Sequence, residues 1–201
     1  MTWIATITYA AATGRLKTLY DRIKGPGDTI DAIMRAHSLR PHTMEGHMAL
    51  YKHVLHHSAN RLPNWFLETL GVHVSRLNGC AYCVDHHFAG VTRLVNDDAR
   101  AEAIRRALET ERFEGTFSAA ESAALRYAGT LTKTPTAVTE AMIDALRATG
   151  LDDGMILEIN QVTAYFAYAN RTVLGLGVTT EGDILGFSPS NADDADDWTH
   201  Q

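Results

Sequence analysis

The amino-acid sequence predicts an all-α protein of about eight or nine helices in one compact unit. Apolar residues recur at helical spacing along most of the 201 residues. The ends of these periodic stretches coincide with residues that start or stop helices. No stretch alternates as a half-buried strand does.

Leu16, Leu19, Tyr20 and Ile23 fall on one stripe, at the i, i+3, i+4, i+7 spacing of an amphipathic helix. Gly25-Pro26-Gly27 breaks it, because proline disfavours helix in the residue before it. A second helix is expected over "DTIDAIMRAHS" with Asp28 as its N-cap. A third covers "PHTMEGHMALYKHVLHH", where Pro41 suits a first turn. "LPNWFLETLGVHVSRLN" follows and is closed by Asn78-Gly79, two residues that tolerate the left-handed conformation. The next helix begins at or near Cys80 and reaches the neighbourhood of Val95. Asp97 or Asn96 caps "DDARAEAIRRALE", and Ser118 with Glu121 forms a capping box before "ESAALRYAGTLTK". "TAVTEAMIDALRATG" stops at Gly150, and Asp152 opens a long apolar helix through "MILEINQVTAYFAYANRTVLGLG".

That last helix carries more apolar surface (Ile156, Ile159, Val162, Val173, Leu174) than one stripe needs, which predicts burial on several sides or use at an interface. Its aromatic residues Tyr165, Phe166 and Tyr168 read as core or oligomer interface. The organisation expected is a helical domain over 1–187, followed by an acidic tail over 188–201. Within the domain, N-terminal helices occupy 1–60, a helical hairpin core 61–110 and C-terminal helices 116–187. The tail holds Asp193, Asp194, Asp196 and Asp197, and is expected to be loose or to lie on a surface.

A 45% hydrophobic and 21% charged composition is that of an ordinary globular protein. The formal net charge of −6 argues against a nucleic-acid partner, which needs concentrated Lys and Arg. No apolar run reaches the roughly 20 residues of a membrane span, and "MTWIATITYA" lacks the features of a secretory signal. A cytoplasmic protein with no membrane partner is therefore expected. In that reducing compartment a Cys-x-x-Cys is redox-active or metal-binding more often than a permanent disulfide.

Both cysteines of the chain stand in "NGCAYCVDHHF". On a helix turning about 100° per residue, Cys80, Cys83 and His87 share one face, and His86 is rotated away. Cys80 near the helix N-terminus gains a lowered pKa from the partial positive charge there. A thiolate attacks a peroxide or a disulfide, a second thiol three residues on closes the bridge, and the imidazole takes or relays the proton. Cys-x-x-Cys-x-x-x-His also offers three zinc ligands, and two buried core cysteines are the plainest alternative. Glu68, one turn inside the preceding helix, is a surface carboxylate unless the hairpin turns it toward the thiols. In that case burial raises its pKa toward that of a proton acceptor.

Glu68, eleven intervening residues and then CxxCxxxH resembles the AhpD-like alkylhydroperoxidase family, part of the carboxymuconolactone decarboxylase superfamily. The flanking "AHSLRPHTMEGHMALYKHVLHHS" and "EINQVTAYFAYANRTVLGLGV" resemble its peroxidase-related subgroup, so the likeness covers most of the chain. It implies an AhpD-like all-helical fold assembling into homo-oligomers, trimer or hexamer. It implies Cys83 as the peroxidatic thiol, Cys80 as resolving partner and entry point for reductant, and Glu68 with His87 as proton relay. The substrates implied are a peroxide and an external dithiol, with no cofactor and no metal. The alternative is a non-enzymatic oligomer whose thiols sense oxidation or hold a metal. Tyr82 departs from the pattern, since the best-known members carry a histidine between the cysteines. Tyrosine is no base near neutral pH, which shortens the relay and leaves His86, across Cys83 from His87, as substitute. The helix-terminus argument favours Cys80 as the low-pKa thiol, whereas the resemblance makes Cys83 the one that meets peroxide.

Overall fold

The computed structural model describes residues 1–194 and 196–200. Among them nine α-helices follow one another without a sheet. They are α1 (Gly14–Ile23), α2 (Ala32–Ala36), α3 (Pro41–Leu55), α4 (Asn64–Leu77), α5 (Ala81–Val95), α6 (Asp98–Thr110), α7 (Ala119–Lys133), α8 (Glu140–Ala148) and α9 (Asp153–Leu176). Where side chains specify a helix start, the structure uses them. Asp97 Oδ1 accepts from the Arg100 amide at 3.0 Å, Asp152 Oδ1 from the Met155 amide at 2.9 Å, and Ser118 with Glu121 forms the reciprocal box.

Two starts differ from expectation. Asp28 does not cap α2, which begins only at Ala32 after Asp31. Asp28 instead takes a left-handed φ of 59° and pairs with Lys24 at 2.6 Å, which closes the turn after α1. Residues Pro135–Ala137 form a 3-10 turn, so α8 opens at Glu140, later than the sequence suggests.

The site is positioned by α4. Every residue from Phe66 to Ser75 is buried, because α5, α7 and α9 pack around this helix. Glu68 is buried for that reason, not through an amphipathic face. Gly71 permits the close approach of α9: a Cβ there would lie 2.1 Å from Phe166 Cε2. α9 buries Ile156, Ile159, Val162, Tyr165, Phe166 and Val173 on one side. Its other side exposes Leu157 and Tyr168.

Of the two alternatives for the acidic tail, residues 188–194 and 196–200 take the second and lie against α1 and α3. Trp198 is buried beneath the Arg22 guanidinium, 3.8 Å from its ring, and Arg22 pairs with Asp196 at 2.9 Å. Lys52 Nζ donates to the Ser190 carbonyl at 2.5 Å. The aspartates alone suggest a solvated end, but one tryptophan and two cations beneath it hold it down. Among the described residues no helix is long and apolar enough to cross a membrane.

Candidate active site

The α4–α5 connection places the thiols. Gly79 adopts φ 70°, the Gly79 amide donates to the Arg76 carbonyl and the Cys80 amide to the Ser75 carbonyl, at 3.0 and 2.9 Å. This pair of bonds is the Schellman closure of a helix, and it needs a residue free to be left-handed at its centre. It delivers Cys80 as the N-cap of α5 and Cys83 in its first turn. Both are buried free thiols, with their sulfurs hydrogen-bonded at 3.1 Å.

The two thiols are not equivalent. The hydrogen bond with Cys83 pulls the Cys80 thiol down; burial opposes this, while the Cys83 amide and Asn170 assist it. The same hydrogen bond pushes Cys83 well up, and burial and the Cys80 charge add to that. The direction for Cys80, lowered, is that of the helix-terminus argument, and the direction for Cys83 is the opposite. Access runs the other way. Cys83 lines the cavity to which α2, α3, α4, α5 and α9 contribute, and Cys80 is fully buried and does not line it.

Glu68 and His87 line the same cavity as Cys83. His87 Nδ1 is 2.6 Å from Glu68 Oε2, and His56 Nε2 is 3.3 Å from Glu68 Oε1. Burial alone would push the Glu68 carboxyl up, but the charge of His87 and the hydrogen bonds of His56 and His87 outweigh it, holding the carboxyl at about 2. The expectation of a raised carboxyl is therefore reversed. Glu68 is a fixed carboxylate at neutral pH, and its contact with His87 Nδ1 leaves the other ring nitrogen, Nε2, out of that bond. Phe166 meets the His87 ring edge-on at 4.6 Å and restrains it further.

His86 does not join this arrangement. It stacks beside Tyr82, ring centroids 4.5 Å apart, and its Nε2 is 3.3 Å from Asp183 Oδ2. Tyr82 donates to the same Asp183 oxygen at 2.8 Å. The residue between the cysteines thus ties α5 to the segment after α9.

Sequence reasoning missed His56, Asp183 and Tyr51. His56 caps α3 and Asp183 lies over a hundred positions from Tyr82, so only the fold brings them in. The aromatic stripe divides: Tyr165 stacks on Tyr51 at 5.5 Å and lines the cavity, whereas Tyr168 is exposed. Among the described residues no group of three or more His, Cys, Asp or Glu side chains is arranged to hold a metal ion.

This architecture is the AhpD-like fold. An uncharacterized peroxidase-related protein with an AhpD core from Ralstonia eutropha JMP134 superposes with a TM-score of 0.74 at 21% identity, over 89% of this chain and 91% of that one. A peroxidase-related protein from Silicibacter sp. TM1040 does so with a TM-score of 0.66 at 24% identity, over 73% and 74%. A cysteine-to-alanine variant of the debrominase Bmp8, in complex with 2,3,4-tribromopyrrole, gives a TM-score of 0.66 at 16% identity over 84% of each chain. No family model matches the sequence, and no curated protein matches it.

Proposed function

We propose that the protein is a thiol-dependent hydroperoxide reductase. The observation that carries this reading is the shared cavity: Cys83 faces it together with the Glu68–His87 pair, and Cys80 waits 3.1 Å behind. The Cys83 proton passes to a neighbour, and its thiolate attacks a peroxide oxygen. The S–O bond forms, the O–O bond breaks, and the departing alkoxide or hydroxide takes a proton, for which His87 is the donor. The Cys83 sulfenic acid then condenses with the Cys80 thiol, forming the disulfide and releasing water. An external dithiol reduces it by exchange, entering through Cys80. The cavity holds about 40 Å³, room for a few water-sized molecules.

Steady-state consumption of peroxide with a dithiol tests this. Turnover is expected in the unaltered chain and absent in Cys80→Ser and Cys83→Ser. Turnover that survives both substitutions, or is found only with a bromopyrrole, removes the assignment.

A homo-oligomer, trimer or hexamer, belongs to the same proposal. The exposed Leu157 and Tyr168 share the solvent side of α9 and are the surface it offers to another copy. Light scattering at micromolar concentration is expected to return one of these masses; a monomer refutes it.

A further inference from the structure

The thiol cavity has walls of two kinds. Cys83, Glu68 and His87 stand on α4 and α5, whereas Phe187, Ser188 and His200 belong to the segment that follows α9 and returns over the opening. Pro189 and His200 pair in an isolated bridge, so both ends of the loop 189–200 meet at the cavity. Between these ends Ser190 reaches Lys52 on α3, and Asp196 and Trp198 reach Arg22 on α1.

Those anchors are of a separable kind. Trp198 is the one large apolar side chain between 188 and 200, and it is held beneath a guanidinium. The Arg22–Asp196 pair is partly exposed, with side-chain exposures of 32% and 83%, and such pairs hold weakly. Lys52 is fully buried, with its ammonium against the Ser190 carbonyl. Lifting the loop returns that ammonium to water, where its hydration replaces the lost hydrogen bond. Trp198, a His200 ring stacked on Tyr51 and a few polar contacts hold this segment, fewer buried apolar contacts than the helices beneath it make.

The geometry points to residues 186–194 with 196–200 as a removable cover that sets substrate size. Closed, it admits hydrogen peroxide and hydroperoxides of comparable bulk to Cys83; a bulky organic hydroperoxide enters only when the loop lifts. The peroxide part of this statement rests on the reductase reading; the cover does not.

The test uses the full chain and two readouts. In a Cys80→Ser background, Cys83 is the sole thiol, and its labelling rate is compared for iodoacetamide and for a pyrene maleimide. In the otherwise unaltered chain, turnover is compared for hydrogen peroxide and cumene hydroperoxide. Trp198→Ala and Arg22→Ala, which lie outside the cavity, are expected to raise the bulky-to-small labelling ratio by about tenfold. They should raise the cumene-to-hydrogen peroxide ratio in parallel. If Trp198→Ala loses helical circular dichroism, Arg22→Lys carries the test, since it keeps a cation but loses planar stacking on the ring. Labelling and turnover ratios that stay fixed in the folded variants, with hydrogen peroxide turnover intact, overturn the cover and leave the reductase reading standing. A labelling ratio that rises while no form turns over any peroxide supports the cover and overturns the peroxide assignment.

Discussion

Tyr82 donates its phenol proton to Asp183 Oδ2 at 2.8 Å, so the residue between the two cysteines is a structural tie. Asp183 also receives the Ala32 amide at 2.8 Å and has Arg35 at 3.3 Å. Burial raises the Asp183 carboxyl, but the hydrogen bonds of His86, the Ala32 amide and Tyr82 outweigh it and hold it below its ordinary value. Tyr82→Phe removes one donor from a buried carboxylate. The expected cost is about 1.5–3 kcal/mol of stability, the range for hydrogen bonds to charged groups. Urea unfolding measures it. Peroxide turnover should change little, since the phenol is spoken for; a large loss of turnover without loss of stability would place Tyr82 in the proton relay instead.

Two buried histidines give the protein an early acid limb. Burial lowers His47 to about 3 and His73 to about 4. Unfolded, each binds its proton near pH 6.5. Between about pH 6.5 and 4.5 the unfolded chain therefore binds more protons, and stability falls as pH falls, by about 1.4 kcal/mol per pH unit for each histidine. His47→Gln should make this slope shallower by one histidine's share. Glu68 acts in a lower window: its stabilisation is complete above the unfolded carboxylate pKa and is lost as pH falls toward about 2. Urea midpoints at stepped pH separate the two windows, and a profile that is flat from pH 6.5 to 4.5 would deny the lowered pKa of both histidines.

The helices were legible because their ends are local chemistry. Asp97, Ser118, Asp152 and the Asn78-Gly79 turn act on amides within a few residues, so sequence spacing suffices to find them. The CxxC face and His87 were legible for the same reason. The state of Glu68 was not, because its pKa depends on His56 at the end of α3, a helix that must first fold back. Nor was the docking of 188–200, whose aspartates mark a solvated tail until Arg22 and Trp198 are seen together. What the sequence withholds here is the identity of long-range partners, and those partners decide the charge of each buried group.

Gly71 is the position where core packing reaches His87 through one intervening ring. An added methyl would meet the Phe166 ring at 2.1 Å, and Phe166 in turn restrains His87. Gly71→Ala must push α9 from α4 or turn the ring out of its place. A loss of about 1–3 kcal/mol or more is expected, the range for overpacked cores, accompanied by slower peroxide reaction as His87 loosens. Should Gly71→Ala keep both its unfolding midpoint and its rate, the contact between α4 and α9 is more yielding than a packed interface.

The two cysteines can be told apart by following one proton. Cys83 faces the cavity but holds its proton firmly, through the hydrogen bond with Cys80 and through burial. The proposed acceptors are the Cys80 sulfur, 3.1 Å away, and His87, which lines the same cavity. Cys80→Ser should still react once with peroxide and leave a trappable sulfenic acid on Cys83, without turnover. Cys83→Ser should fail at that first step, because the remaining thiol lies behind the cavity wall. His87→Ala should slow the first step, by about 10²- to 10⁴-fold if general-base help is lost outright. The loss should be smaller where Cys80 remains to take the proton and larger in the Cys80→Ser background, so the two substitutions are expected to be non-additive. Mass spectrometry after one equivalent of peroxide locates the sulfenic acid, and stopped-flow rates give the coupling. Additive effects would mean that Cys80 never receives the proton. A sulfenic acid on Cys80 in Cys83→Ser, with none on Cys83 in Cys80→Ser, would reverse the roles and make the thiolate at the α5 N-terminus the nucleophile.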